Sequence, residues 1–235
     1  MTGTLVLKDY PLEQGQQLSL LQEHETKLMT KKVLLLLADG FEPLEAAGFT
    51  DVFGWAAIDG SEPVELVTAG LNSPLKATFG FSVIPQAVVS EIDLAEFDAL
   101  AIPGGFDGAG FYREALSEPF LDIIREFEGK GRPIASVCVA SLALGAAGVL
   151  EGRHATTYHQ VGGKRKAQLE EHGVLFVDRP LVEDSGIITS TGPGTAVEVA
   201  LALLANLTNR DNADHIRALM RIPEPSSYWL GEAQV

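Results

Sequence analysis

The sequence predicts an α/β fold, a single-domain three-layer α/β/α sandwich around a mostly parallel sheet. Three features carry that prediction. Short, continuously apolar runs recur along the chain, as expected of strands buried on both faces. Segments with apolar residues at helical spacing separate them. Gly, Pro and Asp punctuate the ends of the runs, so strand and helix alternate as in a layered α/β domain.

Taken in order, residues 1–31 lack a clear period and are rich in Gln, Thr and Lys, which reads as an N-terminal extension. Val33 to Ala38 is an apolar run of strand length, ended by Asp39-Gly40. A helix is expected from Pro43 to about Ala57. Val64–Thr68 reads as the next strand. Ala99–Ile102 reads as another, closed by Pro103-Gly104-Gly105. Pro119–Gly129 is expected to be helical, with Phe120, Ile123, Ile124 and Phe127 on one face. Pro133–Cys138 reads as a strand that runs into a small-residue helix over Ala140–Ala147. Ile187–Ser190 is a short strand, and a helix follows over Thr195–Leu207 with Gly194 or Thr195 at its cap. No repeat, low-complexity tract or charged linker divides residues 32–208, so one domain is expected there. Residues 209–235 are expected to form a C-terminal helix and tail. The tail, with Pro223, Pro225 and Trp229, would cover the site or a second copy, and Trp55 would lie in the core or an interface.

Charge and composition exclude several classes. The 235 residues carry 32 acidic against 17 basic side chains, a net charge of −15. Such a surface repels phosphate backbones and anionic membranes, so neither nucleic acid nor membrane is an expected partner. The apolar stretches are too short for a membrane-crossing helix. The single cysteine admits no internal disulfide and no Cys-x-x-Cys zinc cluster. With no secretory signal over residues 1–30, a cytoplasmic location is expected. His154, His172 and His215 lack metal-ligand spacing and read as surface or structural. Neither a metal nor a cofactor is expected.

The chemistry concentrates at Cys138. A buried strand runs straight into a helix there, so the residue at the junction projects from the carboxyl edge of the sheet, where open α/β sheets bind ligands. A thiol at a helix N-terminus is expected to have a lowered pKa, and backbone N–H groups of the turn can hold an oxyanion. On spacing alone, an inert core cysteine fits as well as a reactive one. Other strand ends favour reactivity. Asp39-Gly-Phe-Glu-Pro-Leu-Glu45, Pro103-Gly-Gly-Phe106 and Thr191-Gly-Pro-Gly-Thr195 all end strands expected to converge on one crevice. Two of the three are rich in glycine, which lets backbone approach a ligand closely.

These motifs resemble the ThiJ/PfpI superfamily, with its class I glutamine-amidotransferase-like, flavodoxin-like fold. The resemblance spans about residues 32–208. It rests on Leu-Leu-Ala-Asp-Gly-Phe-Glu-Pro-Leu-Glu at 36–45, Ile-Pro-Gly-Gly at 102–105, Ala-Ser-Val-Cys at 135–138 and Thr-Ser-Thr-Gly-Pro-Gly-Thr at 189–195. Within the superfamily the chain looks most similar to the branch containing the Parkinson-associated deglycase. The resemblance implies that Cys138 is the elbow nucleophile and that Glu45 hydrogen-bonds it. It also implies that Gly104, Gly105 and Val139 line the substrate or oxyanion site. For Glu45 to help, its carboxyl must be protonated, since an ionised neighbour raises a thiol's pKa. Read without the family, Glu45 is equally a first-turn acid complementing a helix dipole.

The chain departs from the family at two places. Val139 stands where the proteolytic branch has histidine, which argues against peptidase chemistry of that kind. Thr156-Thr157 is followed by Tyr158, and a histidine, His159, comes one residue later. Neighbouring side chains need not point the same way, so Tyr158 and His159 both remain candidates for the third catalytic position. Three functions are expected as alternatives. One is glyoxalase or deglycase-like action on small electrophiles, with a role in oxidative stress. Another is isonitrile hydratase-like or other hydrolytic chemistry, for which the segment from Gly148 to Thr157 also speaks. The last is a non-enzymatic redox sensor. A helix-turn-helix extension is not expected after Leu207. The partners implied are a small-molecule substrate and a second copy in a homodimer.

Overall fold

A computed structural model describes residues 30–225. Nearly all of the N-terminal extension, and Trp229, therefore lie outside the described residues. Strand β1 (Lys31–Leu37) is the apolar run read from the sequence, and Val33 to Ala38 are buried. Helix α1 (Pro43–Asp59) follows with Pro at its first position, where a missing N–H costs nothing. Then come β2 (Val64–Gly70), a hairpin of β3 (Leu75–Lys76) and β4 (Ser82–Val83), β5 (Ala87–Val88) and β6 (Ala99–Ile102). Helices α2 (Phe111–Ala115) and α3 (Glu118–Gly129) lead to β7 (Ile134–Ser136) and α4 (Ala140–Ala146). The rest comprises β8 (His154–Ala155), α5 (Arg165–Glu170), β9 (Leu175–Phe176), β10 (Leu181–Asp184), β11 (Ile187–Ser190), α6 (Ala196–Leu207) and α7 (Arg210–Leu219).

The main sheet has seven strands in the order β10-β11-β7-β6-β1-β2-β5. Every pairing is parallel except β10 with β11. Helices α1, α6 and α7 pack together, while α3, α4 and α5 form a second packed set. The expected α/β sandwich with a mostly parallel sheet is the observed one. Phe120, Ile123, Ile124 and Phe127 of α3 are all buried, as their spacing predicts. The elements missed from sequence are short: β3, β4, β5, β8 and β9 are two residues each, too short for any period to show. Trp55 is 41% exposed and so is no core residue. Thr195 is the cap residue of α6, yet its hydroxyl does not cap the helix. It bonds Ser190 Oγ and the Gly192 carbonyl, both at 2.7 Å.

The strand order positions the site. From β1 the chain first moves outward through α1 to β2, and later returns to β6 on the other side of β1. Strands β1 and β6 are therefore neighbours whose connections leave in opposite directions. Between their carboxyl ends a crevice opens, the place where open parallel sheets bind ligands.

Candidate active site

Glu45, Gly104 and Cys138 follow the carboxyl ends of β1, β6 and β7, three adjacent strands. Cys138 sits two residues past β7 with φ +60°. A left-handed conformation is costly for a residue bearing a side chain, and here the surroundings enforce it. Val137 N donates to the Ile102 carbonyl and Cys138 N to the Ser190 carbonyl, each at 3.1 Å. The Cys138 carbonyl accepts from Ser141 Oγ at 3.1 Å and from Thr157 Oγ1 at 3.2 Å. This is a nucleophile elbow: a strained strand-to-helix turn that presents one side chain at the sheet edge. Buried Thr157 clamps it, a task the sequence did not reveal.

Glu45 lies in the first turn of α1 and is wholly buried. Its Oε2 accepts the Gly104 N–H at 2.5 Å. Its Oε1 is buried with no partner of good hydrogen-bond geometry, although the carboxyl and the Cys138 thiol are close enough to interact through their side chains. Burial pushes the Glu45 carboxyl up to about 8, and the neighbouring Glu42 carboxylate reinforces the shift. At neutral pH Glu45 is therefore protonated. Because Oε2 accepts from Gly104, the proton belongs on Oε1, the oxygen free to donate.

One expectation is overturned here. The thiol of Cys138 is raised, not lowered: burial is the main cause and the Glu45 carboxyl the next, and the Val139 N–H opposes them only in part. Cys138 is only 6% exposed, and α4 spans just seven residues, so desolvation outweighs a short helix's dipole.

Glycine is required at both positions of the β6 turn. A Cβ on Gly104 would come within 2.9 Å of Glu45 Oε2 and 3.1 Å of Cys138 Cβ. One on Gly105 would stand 2.2 Å from the Gly40 carbonyl oxygen. The Gly104 N–H is directed to Glu45 rather than into the crevice, whereas the Val139 N–H bonds the thiol.

The two candidates for the third position are placed apart from the thiol's hydrogen bonds. Tyr158 is 36% exposed; its hydroxyl accepts from Gln160 Nε2 at 2.6 Å, and its ring lies beside Gly192. His159 has Nδ1 3.0 Å from the Thr157 carbonyl and Nε2 3.2 Å from Asp178 Oδ1, with its ring edge-on to Phe176. Two further residues stand beside Cys138 and Glu45 instead. Glu42, 8% exposed at the α1 cap, has its pKa raised by burial and pulled back by a bond from Glu45. Its signal was its place three residues before Glu45. Tyr112, on α2, is close enough to Cys138 and Glu45 that their charges, after burial, help push its phenol up to about 12. Nothing in the sequence marked it, because the five-residue helix carrying it has no readable period. No cluster of potential metal ligands occurs among the described residues.

Comparison with known proteins agrees with this geometry. Residues 31–206 match the DJ-1/PfpI family. The chain is 31% identical over 192 residues to Protein dj-1beta of Drosophila melanogaster, covering 80% of this chain and 95% of that one. It is 30% identical over 201 residues to the Glutathione-independent glyoxalase DJ-1 of Schizosaccharomyces pombe, covering 82% and 99% respectively. The crystal structure of Drosophila melanogaster DJ-1beta superposes with a TM-score of 0.73 at 28% identity, over 83% of this chain and all of that one. By sequence, by fold and by the elbow that carries its only cysteine, this chain belongs to the DJ-1/PfpI family.

Proposed function

We propose that the protein is a cofactor-independent glyoxalase that converts 2-oxoaldehydes to 2-hydroxy acids through Cys138. The observation that carries this reading is the protonated, buried carboxyl of Glu45 beside a thiol that also keeps its proton. Two neutral acids in a dry site suit addition to an aldehyde, because no charged species need accumulate. Sulfur bonds to the aldehyde carbon while the carbonyl oxygen takes the proton from Glu45 Oε1. The thiol proton returns to the same carboxyl, leaving a hemithioacetal. Glu45 then gives its proton to the C2 oxygen as it takes the one from C1, forming an enediol, and next returns that proton to C2 as it takes the one from the C1 hydroxyl, which oxidises C1, reduces C2 and leaves a thioester with the carboxyl protonated again. Water hydrolyses the thioester and restores the thiol. The Val139 N–H, which bonds the thiol, is proposed to stabilise the oxygen as it gains charge. Tyr158 and His159 are proposed to border the substrate rather than to move its proton. The glyoxalase activity named for the fission yeast relative supports the same reading.

The test is lactate formation from methylglyoxal without added thiol. Cys138→Ser is expected to reduce it to background. Turnover by Cys138→Ser equal to that of the native protein would reject the mechanism.

We further infer a cytoplasmic homodimer. The lone cysteine, with no partner in the chain, suits a reducing compartment. Leu44 and Ile58 on α1 are 59% and 80% exposed, and Phe81 and Ile84 line an apolar groove against that helix. Exposed apolar surface of this kind favours self-association. Sedimentation equilibrium is expected to give about twice the 25.1 kDa chain mass; a monomer at micromolar concentration would exclude it.

A further inference from the structure

Near the thiol stands a phenol without a hydrogen-bond partner, and over its ring lies a guanidinium without a carboxylate. The Tyr112 hydroxyl is buried and makes no hydrogen bond. Its ring meets Phe111 edge-on at 5.5 Å, and the Phe111 ring in turn lies against Gly105. Gly104, next in the turn, is already in contact range of Cys138 and Glu45. The Cys138 sulfur is near enough to Tyr112 to act on its phenol electrostatically. Over its ring lies the guanidinium of Arg165, the first residue of α5, at 4.4 Å from the ring centre. Arg165 donates from Nη1 to Gln168 Oε1 at 2.9 Å. It has no salt bridge to any carboxylate among the described residues, unlike Arg125, Arg153 and Arg217.

We propose that Tyr112 and Arg165 form an anion-binding subsite beside Cys138, which selects electrophiles carrying a carboxylate over neutral ones. A guanidinium held over an aromatic ring by cation–π attraction, with one donor spent on Gln168, keeps its other N–H donors available. A buried phenol that donates to nothing carries a desolvation penalty that a bound carboxylate oxygen would remove. The phenol keeps its proton throughout the neutral range, so it can donate to an anion. The other charged groups facing it are Asp107 and Glu45. Glu45 is neutral when protonated, which leaves Asp107 as the rim anion opposing Arg165. On a chain of net charge −15, a fixed cation near the thiol is what makes the crevice accessible to an anion. The matching substrate class is a 2-oxoaldehyde with a carboxylate a few atoms from the ketone, such as 4,5-dioxopentanoate. That identification rests on the glyoxalase reading; the subsite itself does not.

The two are separated by alkylating the chain's only thiol. Iodoacetate and iodoacetamide differ in charge and little in size. Each transfers its two-carbon group to sulfur with loss of iodide, and intact mass reports the product on Cys138 alone. The ratio of the iodoacetate rate to the iodoacetamide rate is expected to fall about tenfold in Arg165→Gln, the size of one charge-assisted hydrogen bond. Tyr112→Phe, which keeps the stacked ring, is expected to lower the ratio by a smaller factor. An unchanged ratio in both variants overturns the subsite. If the ratio falls but neither 4,5-dioxopentanoate nor neutral 2-oxopentanal is turned over, the subsite stands and the glyoxalase reading fails. If both are turned over with equal kcat/KM, the proposed selectivity is wrong.

Discussion

Glu45→Gln is expected to lower 2-oxoaldehyde turnover by about 10²-fold or more, the usual worth of a positioned acid–base group. Glutamine preserves the shape of the side chain, and its oxygen can still accept the Gly104 N–H. It cannot shuttle a proton between sulfur, oxygen and carbon. The same variant tests the protonation state without any substrate. A carboxyl raised to about 8 in the folded protein, against 4.5 unfolded, binds its proton more tightly when folded. The stabilisation this provides is complete below about pH 4.5 and is lost as the pH rises through about 8. At about 1.4 kcal/mol per unit, the full loss is of order 5 kcal/mol. The native protein should therefore lose stability between pH 5 and pH 8.5, and Glu45→Gln should lose much less. Urea midpoints at the two pH values measure the difference. Parallel decline in both proteins would mean that Glu45 is already ionised at neutral pH, and the proton relay would fail with it.

Gly105→Ala is expected to destabilise the fold by about 3 kcal/mol or more. The new methyl would stand 2.2 Å from the Gly40 carbonyl oxygen and 2.6 Å from Phe111 Cδ2. Neither loop can retreat without breaking bonds that tie them together: Glu42 N to the Gly104 carbonyl at 2.8 Å, and Phe106 N to the Gly40 carbonyl at 3.1 Å. These bonds also set Glu45 against Gly104, so turnover should fall together with stability. Gly108→Ala is the control. It lies in the next loop with open space around its Cβ position, and a change within about 0.5 kcal/mol is expected. Thermal unfolding of the two variants decides the point; equal melting temperatures would show that the β1 and β6 turns yield more easily than their hydrogen bonds imply.

The layers of the fold and the location of the site were legible in the sequence because both follow from patterns local in the chain. Four buried residues of Ala99–Ile102 read as a strand on apolar continuity alone. The Gly-Gly turn after it marks a close backbone approach. Cys138 is legible because a strand that ends in small residues must turn sharply. What escaped were elements of two to six residues, such as the helix bearing Tyr112 and the one bearing Arg165, where the period is too short to show.

The sequence by itself determined a mostly parallel α/β sandwich with Cys138 at a strand-to-helix turn, because buried apolar runs and the turns between them are local in the chain. The order of the strands, and with it the meeting of Cys138 with Glu45 that the family resemblance implied, was decided by the tertiary structure. Only the tertiary structure decided the electrostatics. Whether a thiol at an elbow is lowered or raised depends on how much water reaches it and which carboxyls face it. Those quantities come from segments distant in the chain. Burial by the loops after β1 and β6 overrides the helix dipole at Cys138 and keeps Glu45 protonated.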